Sequence, residues 1–331
     1  MNSSITQTVW HDLPAWTLEN DTLRTVIVPE LGAKIVSLFD KRNRLEWLVG
    51  PGDRPFHRVP YGATFTDQDM SGWDEMFPTI NACAYPGPGD RRGTPLPDHG
   101  EVWTLPWSLD AMADGRITLS VEGRALAYRL TRTVDYSEAD TLRLHYEVIN
   151  LGSDIMPYQW AAHPQFVCDQ EAVVVLPAQI TTVFNAIDKL WYWGPGEAQY
   201  PWPQAINAAG SSLRLDRVGT PSRKLARKFF VLPDERIEWA GLIRQSRHAW
   251  LQMQWDTQPV PYFGVWVDEG VYNPESVAAL EPMTGFHDSL IIAWNKQRVS
   301  LLEPGATHEW TLTVRCGTGD QPFPSGPHKD K

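Results

Sequence analysis

Three residues in this chain have side chains suited to moving protons near neutral pH. They are His99 in Asp98-His99-Gly100, His163 in Ala162-His163-Pro164-Gln165-Phe166, and Glu281 in Leu280-Glu281-Pro282-Met283-Thr284-Gly285. An imidazole donates or accepts a proton near pH 7, and a carboxylate accepts one. Together they are the parts of a general acid/base site, and only a folded chain brings residues so distant in sequence to one place. The neighbours of His163 (Trp160, Ala161, Ala162, Phe166) are apolar, and a buried imidazole needs a polar partner. Glu281 closes the apolar run Val277-Ala278-Ala279-Leu280, so desolvation is expected to raise its pKa toward the working pH. Taken singly, each has a plainer reading: a turn histidine bonded to Asp98, a satisfied core histidine, and half of a structural salt bridge. His57, His248 and His287 lack such a context and read as surface or packing residues.

A fourth segment, Ser71-Gly72-Trp73-Asp74-Glu75-Met76-Phe77-Pro78, sets a tryptophan beside two carboxylates. An ionised Asp74 or Glu75 is acceptor-only and suits sugar hydroxyls, with Trp73 as a stacking wall. The alternative is a loop whose acids face water. Trp is frequent, 16 against 7 Met, and its flat apolar face packs on sugar rings as readily as it fills a β core.

The elements that must hold these residues are strands. Leu142-Arg143-Leu144-His145-Tyr146-Glu147-Val148 alternates apolar and polar, as do 117–121 and 310–314. Segments 250–255 and 263–267 also read as strands. The 27 Pro and 24 Gly are spread along the chain, which is turn punctuation for an all-β protein. Helix signals are weak: residues 275–280 read as a turn or strand entry, and 288–294 as a short helix capped by Asp288. Residues 185–210 read as a long ordered loop. No repeat or domain boundary is visible. The expectation is one domain over residues 1–316 and a polar, frayed tail over 317–331.

The net charge of −11 argues against nucleic-acid and anionic-membrane partners, since both need a basic surface. Cys83, Cys168 and Cys316 have no paired spacing, which points to reduced thiols in a cytoplasmic protein without a zinc site. The N-terminal residues carry no signal-peptide pattern, and no run reaches the roughly 18–20 apolar residues of a spanning helix.

In their order and spacing, the four segments 72–78, 98–100, 162–166 and 280–285 resemble those of the aldose 1-epimerases, or galactose mutarotases, and their relatives. The likeness runs from about Asn20 to Val314, and Leu302-Glu303-Pro304-Gly305 looks like the family's closing turn. The resemblance implies a galactose mutarotase-like β-supersandwich of large antiparallel sheets with few short helices. It also implies a mechanism without metal or organic cofactor. His163 would protonate the ring oxygen of a cyclic sugar, Glu281 would take the anomeric hydroxyl proton, and His99 would hydrogen-bond the ring oxygen or a neighbouring hydroxyl. The Asn-Arg element and the aromatic-Asp-His loop of galactose-active members have no clear counterpart here. Asp188 and Lys189 fall where the later Asp would lie, and Lys189 is taken as a substrate contact together with Trp73, Asp74, Glu75 and Asp268.

Two other readings use the same residues. One is a sugar-binding or sensing protein on this fold. The other is a lyase or hydrolase with two carboxylates flanking the bond, Asp74 or Glu75 with Glu281. A mutarotase is expected to hold His163 and Glu281 across a sugar-sized gap. An acidic sugar is expected to need a basic rim, with Arg58, Arg91, Arg92 and Lys189 as candidates. The expected partner is a small-molecule sugar, and the expected assembly a monomer or homodimer.

Overall fold

Period-two patterning becomes pleated strands, because successive side chains of an extended chain point to opposite faces. In the strand Thr141–Asn150 buried and half-buried positions alternate almost throughout. The computed structural model describes residues 3–54, 58–185, 196–206 and 210–323. Its strands form two large antiparallel sheets of twelve and nine strands. Their inner faces share one apolar core, with Trp73, Phe166, Val265 and Leu280 from the first sheet and Leu130, Leu144 and Leu312 from the second. The expected all-β double-sheet architecture is what the chain adopts. No helix among the described residues is long and apolar enough to cross a membrane.

The middle of the twelve-stranded sheet carries the chemistry. Five consecutive neighbours there are Trp73–Met76, Ala161–Cys168, Ser276–Met283, Tyr262–Glu269 and Leu225–Val231. Along each of them one set of side chains enters the core and the alternate set emerges on the other face. Ala162, Leu280, Val265 and Phe229 belong to the core, while His163, Glu281, Trp266 and Lys228 face a cavity. Strand register does the rest. Ala161 pairs with Met283 and Gln165 with Ala279, which sets His163 opposite Glu281.

Several sequence expectations shift. Residues 275–280 lie largely in a full strand, Ser276–Met283. The short helix runs Leu290–Asn295 with Ser289, not Asp288, at its N-cap position, because the Asp288 carboxylate is committed to Lys228 at 2.9 Å. The stretch read as one long loop holds strands where it is described: Thr182–Asn185 pairs with Ala198–Pro201, and Gln204–Ile206 with Ser212–Arg214. The last strand continues to Thr318, and Phe323 stacks on Trp239 with ring centroids 5.4 Å apart.

Candidate active site

His99 enters the site from a turn rather than a strand. Its backbone is left-handed, with φ +58, and so is that of Gly100, with φ +73. A side chain at position 100 would put its Cβ 2.1 Å from the Phe77 carbonyl oxygen, so only glycine lets the turn close against residue 77. The His99 amide donates to the Ile80 carbonyl, which fixes the turn to the segment that follows the strand carrying Asp74. The imidazole then lies flat on Phe65, with centroids 4.0 Å apart and planes at 10°. Its Nδ1 is 3.0 Å from Asp98 Oδ1, while Asp98 Oδ2 accepts the Phe65 amide N–H at 2.9 Å. One carboxylate thus holds both members of the stack. Burial alone would raise the Asp98 carboxyl, but His99 and the Phe65 amide outweigh it and leave it below its usual range.

His163 repeats this pattern from the sheet. Its Nδ1 lies 3.3 Å from Glu281 Oε1, and its ring meets Phe65 edge-on at 5.2 Å. The two imidazoles are 5.8 Å apart, centroid to centroid. In each, a carboxylate at Nδ1 favours the proton there and leaves Nε2 as the exchangeable atom.

The second oxygen of Glu281 faces Lys228, with Nζ to Oε2 at 2.5 Å, and Lys228 also meets Asp288 Oδ1 at 2.9 Å. Burial would push the lysine down, but Asp288 and Glu281 together raise it and keep it charged. The expectation of a raised Glu281 is overturned for the same reason. Desolvation favours the protonated carboxyl, yet the Lys228 charge and His163 outweigh it and hold Glu281 at about 2. The expected sugar-sized gap between His163 and Glu281 is also absent, since they touch directly across neighbouring strands. Burial, His163 and Lys228 together depress the His99 imidazole, and Asp98 only partly offsets them.

His99, His163, Lys228, Glu281 and Asp288 line a cavity of about 170 Å³ whose apolar walls include Phe65, Trp266 and Tyr272. Pockets for drug-sized ligands run to roughly 300–1,000 Å³, so this one suits a ligand of about one ring.

The remaining predicted contacts divide. Trp73 is fully buried and packs edge-on against Phe166 in the core, so it is no stacking wall. Glu75 shares its face of the strand. It accepts hydrogen bonds from Arg132, Tyr146 and Trp160 at 2.8–2.9 Å and ties the two sheets together, away from any sugar. Asp74, on the opposite face and in register with His163, is fully buried and paired with Lys34 at 3.1 Å. It does not line the cavity. Asp268 is fully buried as well. Its carboxylate accepts the amides of Val271, Tyr272 and Asn273 at 2.7–3.0 Å, and so fixes the loop that brings Tyr272 to the cavity wall. Lys189 lies outside the described residues. Arg58 pairs with Glu30 beside a different cavity, Arg91 donates to the Ala125 carbonyl, and Arg92 is exposed.

Lys228, Phe65, Trp266 and Tyr272 were not anticipated. Lys228 had a readable signal. It precedes Phe229-Phe230-Val231 in a strand-like run, and a lysine among buried neighbours must have a counter-ion.

Comparison with known proteins agrees with this architecture. The chain is similar in structure to the Slr1438 protein of Synechocystis, with a TM-score of 0.69 and 16% identity over 96% of this chain and 100% of that one. It is similar to a galactose mutarotase-like protein of Lactobacillus casei, with a TM-score of 0.68 and 19% identity over 92% and 100% of the two chains. A galactose mutarotase-like protein of Clostridium acetobutylicum gives 0.67 and 16% over 96% and 99%. No curated protein matches the sequence. The aldose 1-epimerase family model matches residues 14–190, a span that contains Asp74, His99 and His163 and ends before Lys228 and Glu281. That span is more than half of the chain, and the protein belongs to the aldose 1-epimerase family.

Proposed function

We propose that this protein is a mutarotase that interconverts the α and β anomers of an uncharged monosaccharide by acid/base ring opening and closure. The observation that supports this most is that His99, His163 and Glu281, dispersed in sequence, line one small cavity. Ring opening needs a proton delivered to the ring oxygen while another leaves the anomeric hydroxyl. His163 with its partner Glu281, and His99 beside them, supply groups for both transfers. Such help is worth about 10²–10⁴-fold in rate. Rotation about the C1–C2 bond before closure then exchanges the anomers.

The charges favour a neutral sugar. Among the described lining residues Lys228 is the one lysine or arginine, and Glu281 and Asp288 both hold it. A uronate, sulfonate or phosphate would find no lysine or arginine left to pair with there. The same grouping weighs against a glycosidase, whose two carboxylates flank an open gap rather than grip one ammonium.

The test is anomer exchange, measured by NMR on freshly dissolved neutral, uronate and sulfonated aldoses. Acceleration of a neutral aldose that His163→Ala abolishes is the expected result. No acceleration on any sugar, with binding still detectable, would move the protein to a sensing role.

A further inference from the structure

Along the cavity wall His163, Glu281, Lys228 and Asp288 form a row, with successive contacts of 3.3, 2.5 and 2.9 Å. The far end of that row has hydrogen-bonding capacity to spare. Asp288 is buried, and its Oδ1 faces Lys228, while its Oδ2 accepts no hydrogen bond from a described residue. Lys228 uses two of its three N–H groups on Glu281 and Asp288, and the third has no partner among the described residues. The Asp288 backbone sets the position of this end. Its carbonyl accepts the Asn81 amide N–H at 2.5 Å, and its own amide donates to His287 Nδ1 at 2.8 Å. Asn81 lines the cavity as well. A carboxylate fixed in this way before a ligand arrives gives up little freedom on binding.

We infer that Asp288 and Lys228 form a subsite for the hydroxyl beside the anomeric carbon, so that the protein takes aldoses with a free 2-hydroxyl and rejects 2-deoxy and 2-acetamido sugars. The inference rests on the mutarotase reading and names the substrate class within it. A hydroxyl is donor and acceptor at once. Asp288 Oδ2 accepts its O–H, and the remaining Lys228 N–H donates to its oxygen. The Lys228 charge is already answered by two carboxylates, so what it has left suits a neutral partner. The order of the row assigns the carbon. Glu281 has His163 at one oxygen and Lys228 at the other. In a pyranose, C1 has the ring oxygen on one side and C2 on the other. With the ring oxygen toward the histidines, the 2-hydroxyl comes to Lys228 and Asp288. A 2-deoxy sugar leaves Oδ2 unpaired in a closed site, and a site built around a substrate hydroxyl rejects the analogue that lacks it. An acetamido group is bulkier than the hydroxyl it replaces, and the cavity holds about 170 Å³.

The test sets glucose and galactose beside their 2-deoxy and 2-deoxy-2-fluoro forms. Acceleration over each sugar's own buffer rate is read by exchange NMR, and affinity by saturation-transfer NMR titration. The wild type is expected to favour the parent sugar by about 10–100-fold in kcat/KM, the worth of one hydrogen bond to a charged group. The fluoro sugar cannot donate to Asp288 and should behave like the 2-deoxy form. Asp288→Ala removes the acceptor while Glu281 still compensates Lys228 and the backbone bonds of residue 288 remain. It should lower the parent's value to that of the 2-deoxy sugar and leave the 2-deoxy value unchanged. Asp288→Asn keeps the side-chain volume and should show a reduced preference should the smaller residue not fold. Equal wild-type values for parent and 2-deoxy sugars would overturn the inference. So would an equal loss on both in the variants, which would make Asp288 a support for Lys228 only. If the wild-type protein accelerates no aldose, the mutarotase reading fails, and the affinity preference still decides whether the subsite exists.

Discussion

Lys228 and Glu281 sit on strands that are not neighbours, yet Nζ lies 2.5 Å from Oε2 across the intervening strand Tyr262–Glu269. On that intervening strand Gly264 pairs in register with Glu281, and the space beside it is filled by Phe230 and Met283. A buried ammonium between two carboxylates is a costly arrangement that only complete pairing sustains.

Lys228→Met should therefore destabilise the fold by about 3–5 kcal/mol at pH 7, the usual cost of stranding a buried charge. The pH dependence has a definite sign. In the wild type the Glu281 carboxyl is depressed to about 2, so its contribution to stability is present above its ordinary value of 4.5 and is lost as pH falls toward 2. Without the lysine, burial governs, and the carboxyl moves up. The penalty is then full at neutral pH and is relieved as pH falls through the raised value. Urea unfolding at pH 7 and pH 4 should show the gap between variant and wild type narrowing. A constant gap would mean that Lys228 acts through packing alone.

Glu75 gives a contrasting case. It belongs to the same tetrapeptide strand as Asp74 but enters the core, where Arg132, also fully buried, is its ion-pair partner at 2.9 Å. Glu75→Gln should cost about 3–5 kcal/mol by leaving the Arg132 charge uncompensated, while KM for the sugar stays unchanged in the folded fraction. Thermal denaturation together with steady-state kinetics checks both halves. A raised KM at unchanged stability would return Glu75 to the sugar site.

These two residues show what the sequence reveals and what it hides. The strands were legible because alternation over segments such as 142–148 is a local property with one structural solution. His99, His163 and Glu281 were legible as a set because turns and apolar surroundings mark a titratable group that needs a reason to be there. The face each side chain occupies was not legible. In Trp73-Asp74-Glu75 the alternation sends Trp73 and Glu75 one way and Asp74 the other, but nothing local says which side is the core. Nor could the state of Glu281 be read, since it depends on Lys228, a residue 53 positions away that is brought close only by the sheet order. Desolvation was foreseeable from Val277-Ala278-Ala279-Leu280, whereas the charge that reverses its effect was not.

The acid side of the pH–rate profile follows from the groups around His99. Asp98 raises its imidazole, while burial, His163 and Lys228 lower it, and the lowering prevails. Glu281 and Asp288 share the same cavity wall and neutralise much of the Lys228 charge. A neutral His99 can accept a hydrogen bond that its imidazolium cannot, so kcat/KM should hold to a pH below 6.5, the ordinary histidine value, and then fall. His163 lines the same cavity, so the position of this limb alone does not identify its owner. Asp98→Asn does. It keeps an oxygen to accept the Nδ1 proton but removes the anion that supports the imidazolium, so the acid limb should move lower still while the maximal rate drops. A limb at the same pH in Asp98→Asn and wild type would tie it to another group, and a profile flat down to pH 4 would show that the reaction does not need a neutral His99.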